Sequence, residues 1–156
     1  MMHNDNIQIR KAMEEDSENL WILMQKLAIF ENYIDSFEIT PEVVRERGFK
    51  KSPPDFYCLL ADDHGIIAGM LVYYFHPYTA QNRPAIFMKE LYVEDAYRGL
   101  KIGERLMHAI KQEAKLNNCK QVKWGVAPWN EAGLRFYHRL GAVQNNDWLN
   151  YEWNID

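Results

Sequence analysis

The sequence predicts one α/β domain, of the α+β kind, spanning residues 1–156, in which four helices flank a mixed, mostly antiparallel sheet of about seven strands. Three observations carry this. A chain of 156 residues is the length of one domain and can bury one hydrophobic core. Its apolar periodicity switches repeatedly between the period of a strand and that of a helix, in the order βααβββαβαββ. No internal repeat, linker or low-complexity stretch divides it, and such an order packs as helices against a sheet.

Each element has a local reason. IQIRKA alternates and opens as a strand. Asp16 is placed to cap a helix whose apolar positions Leu20, Leu23, Met24, Leu27 and Ala28 follow the 3.6 period. Thr40-Pro41 starts a second, shorter helix that Gly48 is expected to close. FYCLLA and IIAGMLVYYF read as strands joined by a DDHG hairpin turn. HPYTAQNRP is a loop, and AIFMKELYV the next strand. AYRGLKIGERL then enters a helix with Ile102, Leu106, Ala109 and Ile110 on one face. QVKWGVA is a fifth strand. Asn130 caps a last helix through Phe136, Tyr137 and Leu140, with Gly141 at its C′ position. AVQ and WLNYEWNI read as two closing strands.

Composition narrows the function. Apolar residues are 47% and charged residues 26%, the balance of an ordinary globular protein. A net charge of −4 argues against a general nucleic-acid binder, whose footprint is basic. MMHNDNIQIR is polar where a secretory leader needs an apolar core, and no apolar run approaches a membrane span. Cys58 and Cys119 lie in or beside strand-like runs without metal-ligand spacing. They read as reduced structural thiols and give a cytoplasmic expectation. The five histidines are scattered, so no metal is expected.

The chemistry concentrates around residues 89–104. Arg98-Gly99, three intervening residues and Gly103 lie between a strand and a helix. The first amides of a helix lack intrahelical acceptors, and the helix dipole makes that end partly positive. Glycines let such a backbone approach a pyrophosphate, although the same pattern also serves as a plain turn. Neither GxxxxGK[ST] nor GxGxxG occurs. Lys89 and Glu90 interrupt an apolar strand, which is costly unless they are paired or used.

With these residues in view, the chain resembles the GNAT superfamily of N-acetyltransferases, whose R/Q-x-x-G-x-G/A motif binds the pyrophosphate of acetyl-CoA; Arg98, Lys101 and Gly103 stand at its three defining places. LAIFENY, YYF, ELYV, YRGLKIG, APWNEAGLRFYHRLGA and the late DW are similar to the diamine (spermidine/spermine) and thialysine acetyltransferase branch. The resemblance implies a GNAT-like fold and direct acetyl transfer from acetyl-CoA to a small primary amine: a diamine, a polyamine or an amino acid with a side-chain amine. It implies that the backbone of Leu91, Tyr92 and Val93 pairs with the pantetheine arm. Amides of Gly99, Leu100, Lys101, Ile102, Gly103 and Glu104, with Arg98, hold the pyrophosphate, and Asn130 touches the cofactor. Glu90 handles the amine proton and Tyr137 lies beside the thioester sulfur. Phe30 and Glu31 line the amine site, with Lys89 next to it. A homodimer is the branch's usual assembly.

Two residues depart from that pattern. Lys101 replaces the central glycine, and Lys89 replaces an acid that precedes the Glu90 equivalent in the diamine enzymes, putting a cation where that branch attracts one. For Lys101 we expect φ below zero, as in a helix's first turn, so that its side chain costs little. The residues themselves leave other readings open. Tyr137 can be a packing tyrosine, Lys89 and Glu90 an edge ion pair, and Glu31, Asp35 and Glu38 a solvated surface. Acetylation of protein lysines or N-termini, and a non-catalytic acyl-CoA sensor, are the alternative functions.

Overall fold

The computed structural model describes residues 6–156, so the first half of the polar N-terminus read above lies outside the described residues. The described residues form two compact units, the first ending at Gly125 and the second spanning 126–156. The first holds a five-stranded sheet in chain order: β1 (Ile7–Lys11), β2 (Tyr57–Asp63), β3 (Ile66–His76), β4 (Ala85–Val93) and β5 (Val122–Lys123). β1 to β4 pair antiparallel, and β5 joins β4 in parallel after a helical crossover. Four α-helices form among the described residues, as expected: α1 (Ser17–Phe30), α2 (Pro41–Arg45) and α3 (Ile102–Leu116) in the first unit and α4 (Glu131–Arg139) in the second. None is long and apolar enough to cross a membrane.

The sheet has five strands among the described residues, not about seven. QVKWGVA contributes only Val122–Lys123, and AVQ and WLNYEWNI form no strand. The α1 side of the sheet is an apolar cluster of Leu20, Leu23, Met24 and Leu27 against Leu60, Met70 and Val72. On the opposite side α3 buries Ile102, Leu106, Met107, Ile110 and Ala114, while Ala109 is only half-buried. Gly69 sets how closely α3 can seat: a Cβ there would lie 3.1 Å from the Tyr92 carbonyl oxygen and 3.3 Å from Ile102 Cγ2.

Two helix-end expectations need correction. Asp16 does not cap α1 with its side chain. Its carboxylate accepts from the Met13 amide at 2.7 Å and from both terminal nitrogens of Arg10 at 2.8 and 2.9 Å. A charged fork partner outcompetes a cap, and Arg10 holds the Asp16 carboxyl below its ordinary range. Nor does Gly48 close α2. The chain widens into a π turn over Glu46–Lys50, and Gly48 leaves room for the Phe56 ring, whose nearest carbon would be 2.5 Å from a Cβ. Thr40 does cap α2, accepting from the Val43 amide at 3.2 Å. Cys58 and Cys119 are free thiols, and burial pushes Cys58 up.

Candidate active site

The site in the first unit begins with a register shift. Val72 pairs with Glu90 but Tyr73 pairs with Met88, which leaves Lys89 as an extra residue in β4. Opposed residues of an antiparallel pair share a face. Met88 therefore points to the side of Tyr73 and Gly69, where α3 packs, and Glu90 to the side of Val72, where α1 packs. Without the bulge, residues 88 and 90 would share a face.

Glu90 is thereby buried, with 7% of its surface exposed. Its Oε1 accepts from Lys89 Nζ at 3.3 Å. Its Oε2 has no hydrogen-bond partner among the described residues. Burial raises its pKa, Lys89 opposes that rise and Glu31 adds to it. A carboxyl raised in this way is a better proton acceptor than an exposed one.

The end of α1 supplies the neighbours. The amide of Tyr33 donates to the Ala28 carbonyl at 2.8 Å and that of Asn32 to Ile29 at 3.3 Å, with Asn32 left-handed at φ 64°. This closure satisfies the last carbonyls of the helix and turns the chain back on itself. Burial raises the pKa of Glu31, against the pull of Lys89. Burial also raises the Tyr33 phenol, with Glu90 and then Glu31 adding to the effect. Two carboxyls, one ammonium and one phenol thus share an environment. Nothing in the sequence marks Tyr33 except its place at the end of LAIFENY.

β4 then runs into the turn. β5 pairs with it only at Ile86 and Phe87, so Leu91, Tyr92 and Val93 have β3 on one side and no strand on the other among the described residues. The Arg98 side chain donates to the Val93 carbonyl at 3.4 Å, pairs with Asp95 at 3.1 Å and lies 5.8 Å over the Phe30 ring. Tyr97 fastens the turn from below, donating its hydroxyl to Asp63 at 2.6 Å. Gly99 has φ 82°, and nothing lies within 4 Å of where its Cβ would be.

Lys101 overturns the expected φ. It is the N-cap of α3 at φ 61°, ψ 25°, in the left-handed region. Two left-handed residues, Gly99 and Lys101, turn the chain from the end of β4 into the helix axis within a few residues. The first intrahelical bond runs from the Arg105 amide to the Lys101 carbonyl at 3.0 Å. The amides of Ile102, Gly103 and Glu104 are the first-turn donors that an α-helix itself leaves without acceptors. With the open space beside Gly99, they form a helix start of the kind that can receive an anion. Among the described residues no cluster of His, Cys, Asp or Glu forms a metal site.

Asn130 and Tyr137 belong to the second unit. Asn130 Oδ1 accepts from the Gly133 amide at 3.0 Å, capping α4 as expected. Gly133 is required by that cap, since a Cβ there would fall 2.6 Å from the Asn130 amide nitrogen. The far end closes with Gly141 at φ 90°, its amide donating to His138 and that of Ala142 to the Tyr137 carbonyl at 3.1 Å. Tyr137 packs its ring 5.2 Å from that of Phe136. It lies seven positions after Asn130, two helical turns, and so on nearly the same face of α4.

Fold and site together define a class: a mostly antiparallel sheet with a bulge in β4, whose end turns sharply into the start of a helix. Residues 21–142 match the sequence model of the Acetyltransferase (GNAT) family, and the chain belongs to that family. It is an N-acetyltransferase. It is 31% identical over 144 residues to the Thialysine N-epsilon-acetyltransferase of Bos taurus, covering 87% of this chain and 84% of that one. It is also 31% identical over 146 residues to the human Spermidine/spermine N(1)-acetyltransferase-like protein 1. That match takes in 89% of this chain but only 21% of the longer human protein. Among solved structures, an aminoglycoside acetyltransferase, meta-AAC0020, from an uncultured soil metagenomic sample superposes with a TM-score of 0.82 at 17% identity, over 97% of this chain and 98% of that one.

Proposed function

We propose that this enzyme acetylates the primary amine of a small molecule, a diamine, a polyamine or an amino acid with a side-chain amine, using acetyl-CoA. The observation that carries the proposal is Glu90, a buried carboxyl with one unpartnered oxygen, set beside Glu31 and Lys89 on the strand that leads into the anion-binding turn. The names of the bovine and human relatives, which refer to thialysine and to spermidine and spermine, support a small amine. Acetyl-CoA supplies the acetyl group as an activated thioester.

The chain's own residues divide the remaining work. An alkylamine with a pKa near about 10 arrives protonated and must lose a proton before it can attack. Glu90 takes that proton, directly or through water. Glu31 and Phe30 bind the substrate's cationic and apolar parts, and Lys89 tempers the negative charge of the two acids. The outer edge of Leu91, Tyr92 and Val93 pairs with the pantetheine arm, and their amides are donors for an oxyanion. Arg98 and the backbone from Gly99 through Leu100, Lys101, Ile102 and Gly103 to Glu104 hold the pyrophosphate. Asn130 touches the cofactor near the start of α4, and Tyr137 gives a proton to the departing sulfur. The whole chain acts as one catalytic domain, cytoplasmic and dimeric.

Thiol release from acetyl-CoA across a panel of amines tests this. Release that depends on diamines, polyamines or basic amino acids supports the reading. Acetylation of peptides alone would favour a protein substrate, and binding of acetyl-CoA without release by any amine would favour a sensor.

A further inference from the structure

The bulge at Lys89 does more than bury a carboxyl. Phe87 and Glu90 are three positions apart, a spacing that in a regular strand puts side chains on opposite faces. Because Lys89 is extra, Phe87 pairs with Tyr74 and Glu90 with Val72, and Tyr74 and Val72 are alternate residues of β3. Phe87, Tyr74 and Glu90 therefore share the α1 face of the sheet. His76 lies on that face too, opposite Ala85, whose small side chain leaves the row unfilled. The imidazole leans back over Phe87, with ring centroids 5.7 Å apart and planes within 18°. Tyr74 stacks on Phe87 at 5.3 Å and lies 5.6 Å from His76. The three rings form one layer, about 7 Å along the strand from the row of Glu90.

This layer lies on the side of Glu90 away from the turn into α3. Leu91, Tyr92 and Val93, which the proposed function gives to the pantetheine arm, lead the other way. The rings are therefore left for the end of the amine substrate that does not react. Two cations border them. Lys123 of β5 is in register with Phe87 and so stands on the same face. Lys89 stands in β4 between Phe87 and Glu90, and its side chain is half exposed. The face thus runs from the acids Glu31 and Glu90, where the amine loses its proton, to a layer that is aromatic and basic. A second ammonium there would sit against two lysines. A flat ring finds three others to stack on, and a negative group on that ring finds the lysines.

We propose that the acceptor site extends over Tyr74, Phe87 and His76 and takes primary amines that carry an aromatic ring, best where the ring bears an acidic group. The inference rests on the acetyl-transfer reading and adds a class of acceptor to the aliphatic amines named there. A linker of about two or three carbons between amine and ring covers the distance between the two rows. The transfer itself is unchanged. A nitrogen–carbon bond forms, the carbon–sulfur bond breaks, and the proton taken from the amine is matched by one given to the sulfur.

Thiol release from acetyl-CoA tests this with phenethylamine, its para-carboxylate, cyclohexylethylamine and putrescine. Phenethylamine and cyclohexylethylamine are close in size, but only the first has a π face. The wild type should favour it in kcat/KM by about three- to tenfold, the worth of one aromatic pair. The para-carboxylate should do better still, an advantage reduced by salt and lost in Lys123→Ala. Phe87→Leu should raise KM for phenethylamine relative to KM for putrescine by a similar factor. A wild type that treats phenethylamine and cyclohexylethylamine alike overturns the proposal, however the variants fold. So does a Phe87→Leu variant that loses kcat/KM equally for phenethylamine and putrescine, since the ring would then serve only the sheet. Turnover of putrescine without turnover of either aromatic amine overturns the aromatic site and leaves acetyl transfer to aliphatic amines standing. No thiol release with any amine would remove the acetyl-transfer reading itself, and this inference with it.

Discussion

Lys89 Nζ lies 3.3 Å from Glu90 Oε1, while the other oxygen of the same carboxylate has no partner among the described residues. One oxygen is held and the other is buried without a partner, and under the proposed function it is this second oxygen that takes the proton of the amine.

Glu90→Gln should lower kcat by about 10²–10⁴-fold, the usual worth of a positioned proton acceptor. In the wild type, activity should fall as pH drops through a pKa above the ordinary carboxylate range, because burial raises it. Stability gives an independent readout. A carboxyl whose folded pKa exceeds its unfolded one costs stability once pH passes the unfolded value, and that cost is complete above the folded value. Glu90→Gln should therefore melt higher than wild type at alkaline pH and match it at pH well below the ordinary carboxylate range. A variant that melts lower at alkaline pH would mean that the charge is structurally needed.

Lys89→Ala removes the cation that opposes the rise of the Glu90 pKa, so the acid limb of the pH–rate profile should move up. Lys89→Glu would replace the cation with a third acid in the cluster. Its KM for diamines should fall relative to its KM for amino acids by roughly tenfold, the equivalent of about 1.4 kcal/mol. An unchanged substrate ranking would place Lys89 outside the amine site.

Lys101 sits at φ 61°, where a side chain costs about 1–2 kcal/mol. Lys101→Gly should relieve that strain, partly offset by the greater freedom of glycine in the unfolded chain. A net rise in Tm of a few degrees is expected by calorimetry. If the ammonium reaches a CoA phosphate, affinity for acetyl-CoA should drop modestly, and more so at low salt. A glycine variant that binds more tightly would show that the lysine obstructs the turn.

Tyr137→Phe removes one oxygen and little volume. Folding and the acetyl-CoA-induced rise in Tm should persist, while kcat falls by about 10²–10⁴-fold. A fall of less than about threefold would make Tyr137 a packing residue, because general-acid catalysis is worth far more than that.

What the sequence makes legible is periodic or capped. The buried face of α3, the Asn130 cap and Gly141 at the end of α4 each have a local cause that sequence states directly. The Lys89 bulge has none, since no residue type there demands an extra position, and only the register with β3 reveals it. It also explains why QVKWGVA yields so short a strand. A bulge bends and twists its strand, and β5 loses β4 as a partner just before Lys89. A place in the first helical turn would give Lys101 φ below zero, but α3 begins at Ile102 and the N-cap before it is left-handed. The tail's alternation is genuine, but alternation names a face without naming what covers it. Tyr33 shows the same limit from another direction, since only the folded end of α1 shows what surrounds its phenol.

The bulge at Lys89 also makes the site depend on parity. Substitutions at position 89 vary the charge beside Glu90 while leaving Glu90 on the α1 face of the sheet. Deleting residue 89 would remove the extra position itself: Glu90 would follow Met88 in regular alternation and stay opposite Val72 on the α1 face, without the ammonium beside it. What would send the carboxyl through to the α3 face is the reverse change, Lys89 drawn into regular pairing with Val72 so that residues 88 and 90 share a side. The bulge is thus a spacer that can vary in kind, or be lost outright, while the carboxyl keeps its side of the sheet; what it cannot do is become an ordinary member of the strand.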